Sequence, residues 1–169
     1  MYFIYFILIG FLVGCGLFRK EEGIILISGS YPVRPGWTKK GALEAGNYMY
    51  FTGMSNYKAS IDKAKEEAID NAVKFFLTYA GIKDEHVLEL FRNDLTPKII
   101  SASKRKNEKG PYEVTVSDFY SEKYVIKETK KPCYKGFVQL QFQFPKWLEL
   151  SRYVRSTTEQ KYDRKFYDH

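Results

Sequence analysis

Residues 48–80 read YMYFTGMSNYKASIDKAKEEAIDNAVKFFLTYA, and two different periods meet inside them. Tyr48-Met49-Tyr50-Phe51-Thr52-Gly53 has the aromatic and β-branched composition of a strand, bounded by Gly46-Asn47 and Gly53. From Tyr57 to Ala80 the pattern becomes helical. Ile61, Ala64, Ala68, Ala72, Phe75 and Tyr79 recur at spacings of three and four and form one face. Lys63, Glu66, Glu67, Asp70 and Lys74 form the opposite face. Ser60 is the predicted N-cap, with Asn56 as the alternative and Asp62 in the first turn, and Gly81 stops the helix. Three alanines four apart leave room for a sheet to approach closely.

Reading toward the C-terminus, Asp84 caps a second helix through Val87, Leu88, Phe91 and Leu95, with an interruption expected near Pro97. Residues 101–110, SASKRKNEKG, read as a solvated loop. Tyr112 to Thr129 alternates imperfectly, with Val114, Val116, Tyr124 and Ile126 as candidate inward positions. Phe137 to Phe144 alternates cleanly and places Val138, Leu140, Phe142 and Phe144 on one face. Lys130-Lys131-Pro132 between the two stretches predicts a hairpin. A terminal helix from about Lys146 carries Trp147, Leu150 and Val154 as its apolar seam. Strand, helix, helix, strand, strand, helix is an α+β order. It predicts an antiparallel sheet of three to four strands, covered on one face by the Ala-rich helix, with a second helix and a C-terminal helix. The single domain is expected over residues 47–155, with a polar tail over 156–169. Residues 15–46, punctuated by Gly and Pro, read as a tether and linker, although Ile24 to Ile27 has the composition of a short strand.

The chain has 169 residues, room for one core and little more. Tyr, Phe and Trp make up 17% of it, which is unusually aromatic. Two Cys and two His exclude a disulfide framework and a tetrathiolate zinc site, and they leave little material for acid–base chemistry. No cofactor motif is present. Asp84-Glu85-His86 is more economically a helix cap with favourable dipole charges than part of a catalytic group, so no catalytic residue is assigned. The net charge of +7 is spread along the chain, with no basic stripe of the kind that binds nucleic acid. Lys104-Arg105-Lys106 reads as a solvated run. Cys133 reads as a small buried hydrophobe.

Working back from the decisive stretch, residues 1–18 read MYFIYFILIGFLVGCGLF, followed at once by Arg19-Lys20. The apolar part before Cys15 is short for a spanning helix, which needs about 20 residues. It fits the core of a secretory signal peptide over residues 1–14. Leu12-Val13-Gly14-Cys15 matches a bacterial lipobox. Small residues beside the scissile bond let a membrane peptidase hold the chain extended. The Cys thiol accepts a diacylglyceryl group, and cleavage between Gly14 and Cys15 frees an amine for further acylation. Each buried CH₂ of such an anchor contributes about 0.8 kcal/mol. Gly16, where an inner-membrane retention signal would have Asp, favours an outer-membrane address facing the periplasm or surface. The competing reading is an uncleaved anchor helix with a cytoplasmic domain, favoured by the absence of Lys or Arg before the apolar run.

Pro35-Gly36-Trp37, then Tyr50-Phe51-Thr52-Gly53, then Ala64, Ala68 and Ala72 follow a pattern of Pro-x-Trp, aromatic-x-Gly and an Ala-rich helix. With the lipobox, this stretch resembles the twenty-kilodalton lipoprotein (Lpp-twenty type) family and is similar to the flagellum-associated outer-membrane lipoproteins FlgO and FlgP. The resemblance implies a non-enzymatic envelope lipoprotein that assembles with protein partners or with further copies of itself. Membrane lipid is then met through the acyl anchor on Cys15. Trp37, Trp147 and Tyr153 are the aromatic candidates for partner contact, with packing over the sheet as the plainer reading of Trp37. A small periplasmic ligand-binding module is the remaining class, and it calls for an apolar pocket between helix and sheet.

Overall fold

The computed structural model describes residues 23–105 and 108–167, with side chains through Thr157. The lipobox, Gly14, Cys15 and Lys106 lie outside the described residues. The fold is α+β, with one antiparallel sheet and three helices. Its elements are β1 (Ile24–Gly29), β2 (Ala42–Ala45), β3 (Tyr48–Met54), α1 (Ile61–Tyr79), α2 (Glu85–Ser103), β4 (Thr115–Ile126), β5 (Pro132–Gln143) and α3 (Phe144–Tyr167).

The sheet order is β1-β4-β5-β3-β2, so it has five strands where three to four are expected. Beyond the three central strands, residues 24–45 supply two edges: β1, on the run Ile24 to Ile27 that has strand composition, pairs with β4, and β2, within the expected linker, pairs with β3. Short edge strands carry weak local signals, because half of their hydrogen-bonding groups go unpaired. The β4–β5 hairpin forms the centre. Its strands pair from Thr115↔Gln141 to Val125↔Pro132, and a bulge falls between Val116 and Asp118.

That bulge explains the imperfect alternation of Tyr112 to Thr129. An extra residue reverses the side-chain parity. Val116 opposes Leu140 on the helix-covered face, whereas Tyr120, Glu122 and Tyr124 oppose Phe137, Lys135 and Cys133 on the other face. Tyr124 and Ile126 therefore do not share a face with Val116, as the simple alternation expects.

Core packing sits between the sheet and the helices. Val138, Leu140 and Phe142 of β5 and Met49 and Phe51 of β3 meet Ala68, Ala72 and Phe76 of α1. Ser60 caps α1, its Oγ accepting from the Lys63 amide at 3.3 Å. The buried stripe of α1 is rotated from the expected one. Ile69, Val73, Phe76 and Leu77 are buried, whereas Ile61 and Tyr79 are exposed. The three alanines hold the stripe because the sheet opposite them carries glycines. A Cβ at Gly53 would lie 2.0 Å from the Ala68 carbonyl oxygen, and one at Gly136 would lie 2.9 Å from the Ala64 backbone. Helix and sheet backbones touch there.

Asp84 caps α2, its Oδ1 accepting from the Val87 amide at 3.0 Å. The interruption expected at Pro97 does not occur, and α2 runs on to Ser103. Burial of Leu95, Ile99 and Ala102 on both sides of Pro97 offsets the lost backbone bond. The solvated run is correspondingly shorter. Within it Lys104 pairs with Glu66 at 2.7 Å and Arg105 with Glu108 at 2.8 Å. The terminal helix starts at Phe144 and extends through most of the presumed polar tail, to Tyr167.

Candidate functional site

Two surfaces outside the core gather aromatic and polar side chains. The first is a groove of about 660 Å³ between α2, the turn Pro111–Glu113 and α3. Val87, Leu90, Phe91, Leu95, Tyr112 and Tyr153 line it, with Asp94 and Lys98 among its polar groups. Amphipathic helices that meet at an angle leave such a trough wherever their apolar stripes are wider than their contact. Phe91 and Tyr153 meet edge to face at 5.8 Å across it. Lys98 and Asp94 pair with each other at 2.6 Å. The turn beneath holds Tyr112 and Glu113 at φ 55°, a conformation uncommon away from glycine. Burial, then the neighbouring Tyr153, pushes the Tyr112 phenol above its ordinary range. The lining offers contact area for apolar groups and one rim ion pair.

The second surface lies on the sheet face away from the helices. The chain leaves β1 at Gly29 and crosses this face through residues 30–40. Arg34 there meets Glu122 of β4 side on: Nε donates to Oε1 and Nη2 to Oε2, both at 2.6 Å. Tyr120 and Tyr124 flank Glu122 on the same strand face and donate to the same carboxylate at 3.2 and 2.5 Å. Four donors thus converge on a carboxylate whose side chain is 2% exposed. The Arg34 guanidinium also stacks over Phe137 at 5.1 Å, and Tyr31 stacks on Tyr120 at 5.9 Å. Burial, then the bond to Glu122, pushes the Tyr124 phenol far above the ordinary tyrosine range. A buried carboxylate bonded by four donors from three side chains is a structural clamp that ties residues 30–40 to β4.

The sequence candidates separate between these surfaces. Trp37 belongs to the second: its indole Nε1 donates to Asp118 Oδ2 at 2.9 Å, and its carbonyl accepts from Thr52 Oγ1 at 3.4 Å. It is half-buried, as a packing lid over the sheet would be. Tyr153 is 52% exposed and belongs to the groove. Trp147 belongs to neither. It is 6% exposed and packs on Phe51 at 4.8 Å and on Phe142 at 5.9 Å, so it serves the core and not an exposed contact. Its placement follows from α3 folding back along the sheet with the expected Trp147, Leu150 and Val154 seam inward. Cys133 is a buried free thiol, its pKa raised by burial. Among the described residues no group of three or more His, Cys, Asp or Glu could hold a metal.

Sequence reasoning missed the Arg34–Glu122 clamp. The signal was present in Tyr120-Ser121-Glu122-Lys123-Tyr124, where a carboxylate lies between two tyrosines at strand period. Arg34, however, comes 88 residues earlier in a segment read as linker. No protein-family model, curated protein or solved structure matches the chain.

Proposed function

We propose that this chain is a non-enzymatic bacterial envelope lipoprotein, held to a membrane through lipid on Cys15 and acting as a structural or assembly subunit. The observation that carries the reading is Leu12-Val13-Gly14-Cys15 at the end of an uncharged apolar run. The likeness of residues 35–80 to the twenty-kilodalton lipoproteins adds to it, and an outer-membrane or flagellum-associated address is part of the same proposal. The first described strand begins at Ile24, nine residues after Cys15 in the sequence. Among the described residues no helix is long and apolar enough to cross a membrane.

Labelling the wild type and Cys15→Ala with a clickable fatty acid tests the anchor. Incorporation into the wild type alone, together with a mature N-terminus at Cys15, is the expected result. An intact Met1 on the mature protein overturns it in favour of the uncleaved anchor helix. The subunit role is tested by cross-linking in cells, where adducts heavier than the monomer are expected and their absence ends the assembly reading.

A second reading, a small ligand-binding module, is favoured by one observation, the groove beside Tyr153. The groove lies between helices and not between helix and sheet. An apolar fluorescent probe that binds the wild type and is released by Tyr153→Asp would favour this reading.

A further inference from the structure

The end of the sheet where the chain leaves its N-terminal region combines two features that the core and the clamp do not use. The first is an apolar edge. Ile25, Leu26 and Ile27 of β1 are 45%, 52% and 55% exposed. The second is a cluster of cations at the tip of the β4–β5 hairpin. Lys127, Lys130 and Lys131 are all exposed, with Glu128 as the one acid among residues 127–131. Hydrogen bonds fix these two features side by side. Ile24 pairs with Ile126, and the Lys127 amide donates to the Gly23 carbonyl at 2.6 Å. The turn itself is closed by the Lys130 amide on the Ile126 carbonyl at 2.8 Å.

These lysines differ from the other cations raised by the sequence. Lys104 and Arg105 are each paired with a carboxylate. No ion pair among the described residues holds Lys127, Lys130 or Lys131. Arg19-Lys20-Glu21-Glu22, next in sequence, sums to no charge and so does not cancel them.

We infer that this end of the domain docks on the anchoring bilayer, with Ile25 and Leu26 at the headgroup–acyl boundary and Lys127, Lys130 and Lys131 on anionic phospholipid headgroups. Chain length keeps the bilayer within reach: residues 15–23 span at most about 30 Å when fully extended. The chemistry is that of peripheral membrane surfaces, aliphatic side chains beside basic ones. A second copy paired along β1 is the competing occupant of an exposed edge. The bulge between Leu26 and Ser28 breaks the regular ladder that such pairing needs. The inference rests on membrane anchoring of the N-terminal region, by acylation or by a helix.

The test uses the full chain anchored in vesicles, with a nitroxide on Leu26→Cys in a Cys133→Ala background. A second label at Leu90→Cys, a position 57% exposed in the groove, serves as the aqueous reference. In vesicles containing phosphatidylglycerol the Leu26 label is expected to be shielded from a water-soluble relaxant and open to oxygen, unlike the Leu90 label. Lys127→Gln and Lys131→Gln should each lower the docked population about fivefold, the effect of one basic residue near an anionic surface. High salt should act in the same direction. A Leu26 label as water-exposed as the Leu90 label, in protein that floats with the vesicles, overturns the docking and leaves the anchor intact. Spin–spin broadening between Leu26 labels overturns it in favour of pairing between copies. A shielded Leu26 label in a Cys15→Ser, Cys133→Ala chain that still floats with the vesicles upholds the docking and removes the lipoprotein reading instead.

Discussion

Gly53 lies directly beneath Ala68, so close that a Cβ on the glycine would sit 2.0 Å from the Ala68 carbonyl oxygen and 2.4 Å from the Ala72 amide nitrogen. Neither atom can move without shifting the helix, since both belong to its backbone. Gly53→Ala should therefore push α1 off the sheet and open the core around Phe51. A loss of at least about 3 kcal/mol, at the upper end of overpacking costs, is expected in urea titration. Ala68→Glu places a carboxylate at the same contact and should abolish soluble folded protein. Glu67→Ala next door is the control with a smaller cost, about 1 kcal/mol. Its carboxylate accepts from the Asn56 amide at 3.0 Å and pairs with Lys58 at 3.0 Å, so it is not idle on a solvent face.

Arg34 and Glu122 should show strong coupling. Arg34→Ala leaves a buried carboxylate with tyrosine donors alone. Removing one partner of an enclosed pair costs about 3–5 kcal/mol. The Arg34 side chain is 40% exposed, so a value of about 1–3 kcal/mol is expected. A double-mutant cycle with Glu122→Gln reads the coupling directly, and additive effects would show that the clamp holds nothing.

Alkaline pH should loosen the same face. The Tyr124 phenol is held protonated, by burial first and by its bond to Glu122 second, so its native pKa lies above its unfolded value. A raised pKa contributes stability that is complete below the unfolded value, about 10 for tyrosine, and declines as pH rises through the native one. Urea midpoints should fall as the pH passes about 10. Tyr124→Phe should flatten that part of the profile, and an unchanged slope in the variant would refute the assignment.

The C-terminal helix should tolerate truncation only beyond its buried seam. Leu150 and Val154 are both fully buried. A chain ending at Leu150 is expected to lose much of its thermal stability, whereas one ending at Thr157 should melt within a few degrees of the full chain. Cross-linking comparisons of partner binding then belong to the chain ending at Thr157, because the one ending at Leu150 also damages the core.

The central elements were legible because their signals are local and repeated. Ala64, Ala68 and Ala72 announced a close-packed helix, Ser60 and Asp84 announced its cap and the next one, and Val138, Leu140 and Phe142 announced the inner face of β5. What remained hidden depended on distant partners. Nothing near Ile24 or Ala42 indicates that β4 and β3 will accept them as edges. Nor does anything near Val116 give the bulge that turns Glu122 toward Arg34. Pro97 misled for the opposite reason: a strong local signal was overridden by burial of Leu95 and Ile99. Trp147 looked like a contact residue because aromatics on a terminal helix are ambiguous until the face they take is known.

The placement of β1 at the sheet edge beside β4 also sets an order of events during synthesis. Ser30, at the exit of β1, receives its hydrogen bond from the amide of Ser121, 91 residues later in the chain. The first strand to leave the ribosome is thus among the last to find its place. Until the β4–β5 hairpin exists, the aliphatic run Ile24 to Ile27 lacks the strand it pairs with. On the proposed lipoprotein reading, anchoring can precede closure of the domain, and a nascent chain stalled before Ser121 should already be a substrate for lipidation.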